Sequence, residues 1–398
     1  MPGGGMIGSL LARMVKVGDL TVKLPGGGAV RVGDGSGAPV VIRFTRAGLR
    51  RLLANPGLGL GEAYMEEEVV FEQGTMWDLL EIVGRSGGRG PKGRGSWAKR
   101  TRRAVKRRIQ QANDRVAARR NVAHHYDLSN DFYRRWLDAD MQYSCAYFAR
   151  PDMTLEEAQA AKKRHLAAKL LLSPGKRVLD IGSGWGGLAM TLARDHGAEV
   201  LGVTLSTEQL ALARERAEAA GLSERVRFEL RDYRDVEGPF DRIVSVGMLE
   251  HVGAPHFRAY FETVRRQLAD DGVAVVHTIG RMTPPSLTHP FTQKYIFPGG
   301  YIPAMSEIAT AIEDAGLWIT DVEVLRLHYA ETAKVWRERF LADPEIPKLY
   351  DGRFRRMWEF YLAGAELGFR YGTHMVMQFQ LARGVDAAPV TRDYLAGT

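Results

Sequence analysis

The chain has 398 residues, 45% of them apolar and 26% charged, with one cysteine and a formal charge of +8. That composition is globular, long enough for two or three domains and too apolar for disorder. No run approaches the roughly 18 consecutive apolar residues of a spanning helix, and the run from Met6 to Ala12 is too short for a secretory signal, so a soluble protein of the cytoplasm is expected. The lone Cys145 can close no intrachain disulfide and build no thiolate cluster, so no metal is expected.

The charge is unevenly spread. Residues 85–120 hold fourteen Lys and Arg against the single acid Asp114, and the other residues carry 41 basic against 46 acidic groups, a net −5. Such asymmetry asks for a polyanionic partner, either nucleic acid or an anionic membrane surface.

In chain order, residues 19–24, 29–32 and 40–44 read as short strands between glycine-rich turns, and 46–54 and 75–83 as helices. Residues 1–85 therefore form a small α+β accessory domain. Residues 86–120 are a basic linker: a Gly-rich stretch to Ser96, then a helix whose apolar positions include Trp97, Val105, Ile109 and Val116. Its basic face either packs in solvent beside a neighbouring domain or lies on phosphates or lipid headgroups.

The third region, 121–398, alternates strands and helices. Strands are expected at 177–181, 199–204, 226–231, 240–246 and 272–277, with helices at 188–194 and 208–220. The fold class is α/β, a doubly wound, mostly parallel sheet with a ligand crevice at the carboxyl ends of its strands.

After the first of these strands, Gly182-Ser-Gly184-Trp-Gly186-Gly187 has dinucleotide-site spacing. The next strand ends in Thr204-Leu205-Ser206, lacking the acid that would hold a ribose, which disfavours NAD. Trp185 and a polar lining suit a sulfonium cation better than a pyrophosphate. Glu250, His251 and His277 converge on the same rim, although Glu250 could serve a helix N-terminus and His277 could be a hydrogen-bonded core residue. Cys145, among aromatics and with no Lys or Arg between positions 135 and 150, reads as a buried hydrophobe and not a nucleophile.

Taken together, His125-Tyr-Asp-Leu-Ser-Asn130, Met141-Gln-Tyr-Ser-Cys-Ala-Tyr147, Val178 to Gly187, Gly202-Val-Thr-Leu-Ser-Thr-Glu-Gln209, Leu249-Glu-His-Val-Gly253, Val276-His-Thr-Ile279 and Lys294-Tyr-Ile-Phe-Pro-Gly-Gly300 resemble the cyclopropane-fatty-acyl-phospholipid synthases, from about residue 121 to 380. Leu58-Gly-Leu-Gly-Glu-Ala-Tyr-Met65 resembles that family's lipid-binding accessory domain.

The resemblance implies a Rossmann-like class I methyltransferase fold and transfer of a methyl group from S-adenosylmethionine to a cis double bond of a phospholipid acyl chain. A carbocation forms and closes to a cyclopropane on losing a proton. It implies a bicarbonate base held by Cys145, Gly247, Glu250, His277, Ile279 and Tyr329. For the methyl donor it implies Tyr143, Ser144, Asp180, Gly182, Ser183, Gly184, Trp185, Gly186, Thr204, Leu205, Ser206 and Gln209, with Asp232, Tyr233 and Arg234 towards the adenine. Arg234 departs from the acid of some relatives, and Glu66-Glu67-Glu68 departs from the usual acid-glycine sequence. The implied partners are an unsaturated phospholipid in an anionic membrane surface, met peripherally from the cytoplasmic side, and a second copy of the chain, with no nucleic acid. Two other outcomes stay open: a methylene- or methyl-branched product, and an RNA methyltransferase using the basic segment on phosphates.

Overall fold

The computed structural model describes residues 3–87 and 128–396. Nearly all of the expected basic linker and helix, and His125, Tyr126 and Asp127 of the first motif, lie outside the described residues. Two compact units are present. The first comprises the described residues up to 87 together with His289–Ile296 and Ala330–Thr373, and the second the described residues from 128 to Thr288, with Phe297–Tyr329 and those from 374 onward.

The sequence division assigns 330–373 to the methyltransferase part, whereas these residues cluster with the N-terminal ones. Packing explains the difference. In the first unit a sheet of order β2-β1-β3-β4 is built from β1 (Asp19–Lys23), β2 (Ala29–Val32), β3 (Pro39–Phe44) and β4 (Val69–Gln73), with β1 and β3 parallel. The alternate residues Leu20, Val22, Val40, Ile42 and Phe44 are buried. Helix Pro56–Met65 carries the Leu58 to Met65 motif, and Gly61 leaves room for Phe291 and Phe360 where a Cβ would collide. Tyr64 Oη donates to Glu359 at 2.7 Å. Buried Glu366 accepts from Trp77 Nε1 at 3.0 Å and Arg337 Nε at 3.1 Å. The helix Gly352–Arg370 is thus part of this unit's core, a contact between distant stretches that local periodicity does not announce.

Glu67 lies in the left-handed region at φ 56°, and its carboxylate pairs with Arg356 at 2.8 Å. The departure from glycine therefore falls on a backbone position suited to glycine.

The second unit holds a seven-stranded sheet of order β10-β11-β9-β8-β5-β6-β7. Its strands are β5 (Arg177–Ile181), β6 (Glu199–Thr204), β7 (Val226–Leu230), β8 (Phe240–Val246), β9 (Leu268–Arg281), β10 (Trp318–Leu325) and β11 (His374–Ala382). Strands β5 to β9 are mutually parallel, while β11 runs antiparallel to both β9 and β10. Alternate residues enter opposite cores. Leu179, Ile243, Ala274 and Val276 pack in a cluster with helices Phe257–Gln267 and Met305–Asp314. Val178, Val244 and Val275 pack with helices Leu155–Lys169, Gly187–His196 and Thr207–Ala219. Helices on both faces of a mostly parallel sheet make the doubly wound fold expected from the sequence, extended by β10 and β11. No described helix is long and apolar enough to cross a membrane.

Candidate active site

The chain runs outward from β5 through β6 to β7 and then crosses back to β8, and a cavity opens at the carboxyl ends of these strands. This is the switch point at which open α/β sheets bind ligands. The turn after β5 carries Gly182, Gly184 and Gly186 at φ 83°, 55° and 81°. They do different work. A Cβ on Gly184 would meet nothing within 4 Å, so that position faces open space, whereas one on Gly186 would lie 2.5 Å from Phe228. Gly186 serves packing beneath the loop, and Gly184 keeps room above it.

At the floor, Asp180 is buried and its Oδ2 has no hydrogen-bond partner; the same is true of Ser183 Oγ. Burial pushes the Asp180 carboxyl up to about 7, against an opposing pull from the Lys162 ammonium. An unpartnered acid and hydroxyl beside an open glycine position fit a ligand with cationic and hydrogen-bonding groups. Trp185 donates its Nε1 hydrogen to Asn130 at 2.7 Å, and its ring lies 5.1 Å from that of Tyr133, centroid to centroid. Tyr143 joins the same aromatic cluster.

Tyr143, Ser144, Asp180, Gly182, Ser183, Gly184, Trp185, Thr204, Leu205, Gln209, Asp232, Tyr233, Arg234 and Gly247 all line this one cavity. Gly186 and Ser206 do not. Ser206 Oγ accepts from Gln209 N at 3.2 Å and caps helix Thr207–Ala219. At the position departing from an acid, Arg234 grips Asp232 with two bonds, at 2.8 and 2.5 Å. Met141, Gln142, Arg231, Met248, His251 and His256 also line the cavity. His251, named on the rim from sequence, is kept neutral by burial, its pKa pushed down to about 4. Met248 and His256 follow β8 closely enough for the carboxyl-end rule to have found them; Gln142 gives no signal of its own.

Behind the cavity lies a second group. Glu250, in the short helical turn Leu249–His251 after β8, accepts from the Ile279 amide at 2.6 Å through Oε1, while its buried Oε2 makes no full hydrogen bond among the described residues, with the Thr278 hydroxyl as its nearest polar influence. Burial pushes its carboxyl up to about 7. His277 on β9 is 2% exposed, within 3.1 Å of Gln378 Nε2 through Nδ1, and burial pushes its pKa down to about 3. The Gly247 amide donates to the His277 carbonyl at 2.9 Å, tying this group to the cavity wall.

Cys145 is wholly buried, its Sγ donating to the Ala146 carbonyl at 3.3 Å. The sequence shows no nearby base in the chain, but folding brings Lys162 within electrostatic reach of both Cys145 and His277. Tyr329 is nine-tenths buried in helix His328–Ala342. Its neighbour His328 accepts the Phe148 amide at 3.0 Å and stacks on Tyr147, so His328 adjoins the loop that carries Cys145.

The family described as mycolic acid cyclopropane synthetase matches residues 113–379. The chain belongs to that family. It is 40% identical over 351 residues to the cyclopropane-fatty-acyl-phospholipid synthase of Escherichia coli (strain K12), covering 88% of this chain and 89% of that protein. That length exceeds the stretch from residue 113 to the C-terminus, so the similarity reaches into the N-terminal residues. A probable fatty acid methyltransferase of Pseudomonas putida is 41% identical over 299 residues, 71% of this chain and 75% of that one. Among solved structures, mycolic acid cyclopropane synthase CmaA1, complexed with SAH and CTAB, superposes with a TM-score of 0.63 at 35% identity, covering 66% of this chain and 97% of that one. The family member thus shares the methyltransferase fold seen here.

Proposed function

We propose that this protein is a cyclopropane-fatty-acyl-phospholipid synthase, using S-adenosylmethionine on a cis double bond of an unsaturated phospholipid acyl chain. The observation that carries the reading is the pairing of an open glycine-loop cavity with a buried acid, Glu250, that has one oxygen without a full hydrogen bond, in a chain of this family. When bound, S-adenosylmethionine supplies an electrophilic methyl group on a sulfonium.

The alkene is a weak nucleophile, so the chain's task is alignment and exclusion of water. Tyr143, Trp185 and Asp180 give the cationic donor aromatic faces and a carboxylate, and Gly184 lets it approach the backbone. Methyl transfer leaves a carbocation on the neighbouring alkene carbon, and loss of a proton from the new methyl closes the ring. We assign the base to the group around Glu250 and His277, a reading supported by their burial next to the cavity wall. His277 stays neutral, and Glu250, near half-protonation at neutral pH, can donate to an anion or take a proton. These groups fit bicarbonate, which would supply an oxygen base held by Glu250, His277 and the Gly247 and Ile279 backbone, with Cys145 and Tyr329 as neighbours.

The surplus of basic residues over 85–120 supports peripheral attachment to an anionic, cytoplasm-facing bilayer, with up to about 1 kcal/mol per basic group near the surface. Family resemblance favours a homodimer. The relative named a probable fatty acid methyltransferase supports a second reading, in which a 1,2-hydride shift moves the cation onto the methylated carbon before a methyl proton is lost, giving a methylene-branched chain that only a separate hydride-donating reductase would saturate to a methyl-branched one.

Incubation with methyl-labelled S-adenosylmethionine and liposomes of defined unsaturated phospholipid tests this. Label in the lipid with cyclopropane resonances by NMR is expected. No label in lipid overturns the reading, and olefinic methylene resonances replace it with the second.

A further inference from the structure

Helix Leu155–Lys169 lies behind the loop that forms one wall of the cavity. Gln159 Nε2 donates to the carbonyls of Gln142 at 3.1 Å and Ser144 at 2.9 Å. Nearly one turn further on, Lys162 Nζ donates to Gln142 Oε1 at 2.7 Å and to Ser144 Oγ at 2.8 Å. Lys162 is completely buried, and among the described residues no carboxylate stands within ion-pair distance of it. A buried ammonium without a direct counter-ion costs several kcal/mol, which a purely structural position could avoid with an apolar side chain.

The charged and titratable groups around it are Asp138, Asp140 and Asp180, Lys163, Cys145 and His277. Two of these, Asp180 and His277, belong to the cavity floor and to the buried group behind it. The cation thus acts electrostatically on both halves of the site, while its hydrogen bonds among the described residues go to the wall.

We propose that Lys162 is a positioning residue for the methyl donor, holding Gln142 and Ser144 from behind so that the wall closes correctly on the bound donor. This rests on the reading of the cavity as the S-adenosylmethionine site. Hydrogen bonds from an ammonium are roughly twice as strong as those from a neutral amine, so the charge itself matters to the hold. Burial depresses this lysine's pKa to about 8, and the three aspartates pull the other way. The grip is therefore strongest well below pH 8 and relaxes as the pH rises through that value.

Calorimetric titration of S-adenosylhomocysteine into wild type, Lys162→Met and Lys162→Arg, from pH 6.5 to 9.5, tests the proposal. At pH 7, Lys162→Met should bind about tenfold more weakly or worse. Its steady-state KM for S-adenosylmethionine should rise while kcat stays within about threefold. Lys162→Arg remains charged throughout, so it should restore binding and keep it above pH 8, where wild type weakens relative to it. Wild-type affinity in Lys162→Met, or a fall in kcat with KM unchanged, overturns the proposal. Should Lys162→Met lack a folded circular dichroism spectrum, identical wild-type and Lys162→Arg profiles above pH 8 overturn it. A wild type that fails to bind overturns the cofactor reading as well; one that binds equally with and without the lysine overturns this inference alone.

Discussion

The cavity and the group behind it are built on opposite principles. Along the cavity wall, polar side chains are already satisfied by one another, Asp232 by Arg234, Thr204 by Gln209 at 3.1 Å, Gln142 and Ser144 by Lys162, while Asp180 and Ser183 at the floor keep one oxygen each for a ligand. What the turns after β5 and β8 contribute there is space, at Gly184 and Gly247, where a Cβ would meet nothing. Behind it, space is scarce and charge is suppressed: Glu250 is lifted towards neutrality and His277 is held uncharged. A site that accepts a cationic donor and then shelters a carbocation needs both, a rigid open cradle and groups that gain or lose a proton at little cost.

The largest effect expected from this contrast is on chemistry. Glu250→Gln should lose turnover by about 100-fold or more, as removal of an acid-base group does, while S-adenosylhomocysteine binding by calorimetry stays within a few-fold. Unchanged turnover would remove Glu250 from the base site. The two glycines test the cradle. Gly186→Ala forces a Cβ against Phe228 at a left-handed position and should cost about 2–4 kcal/mol in denaturant unfolding. Gly184→Ala meets no atoms and should cost only about 1–2 kcal/mol, yet lower S-adenosylhomocysteine affinity at least tenfold. Equal stability losses with equal affinities would erase the distinction.

The suppressed charges have a pH signature. Glu250 titrates near 7 in the fold and near the ordinary carboxylate value when unfolded. Between those values the native state holds a proton that the unfolded chain has released, so this group's contribution to stability falls as pH rises towards 7 and stays low above it. Glu250→Gln should gain stability relative to wild type at pH 8 compared with pH 4.5, by up to about 3 kcal/mol. His277 acts in the opposite sense: its contribution is present above pH 6.5 and is lost as pH falls towards 3. His277→Gln should therefore soften the acid side of the melting-temperature profile and leave the alkaline side alone.

The smallest effect calibrates the left-handed backbone cost itself. Glu67→Gly should be more stable than Glu67→Ala by about 1 kcal/mol, since both lose the exposed Arg356 pair but only glycine relieves the strained φ. Equal thermal melts would mean that the backbone there relaxes freely.

Much of this was legible from residues alone, for reasons of periodicity. Strands β5, β6 and β8 are dense apolar runs ended by glycine or by small polar residues, so their bounds and the loops after them could be read directly. Strands β10 and β11 could not. Trp318, Ile319 and Val322 on β10 are exposed, and β11 interrupts its apolar run with Gln378 and Gln380, both fully buried. Their polar groups bond across elements, Gln378 to His277 and Gln380 to the Lys169 carbonyl at 2.7 Å, in partnerships that no local pattern encodes. The same holds at the site. The glycine loop and Glu250 follow strands and were found by position. Lys162 lies on a helix with ten buried residues, Lys163 and His165 among them, whose charged composition suggests solvent exposure.

The helix Gly352–Arg370 has a consequence for how the protein is made. Residues Gly61, Tyr64 and Trp77 leave the ribosome nearly 300 residues before the Phe360, Glu359 and Glu366 that complete their surroundings. The second unit also waits for β11, which inserts between the earlier strands β9 and β10. Neither unit can reach its final packing until the residues beyond 352 have been made. A protein cut short before residue 352 would lack the pieces that close both units.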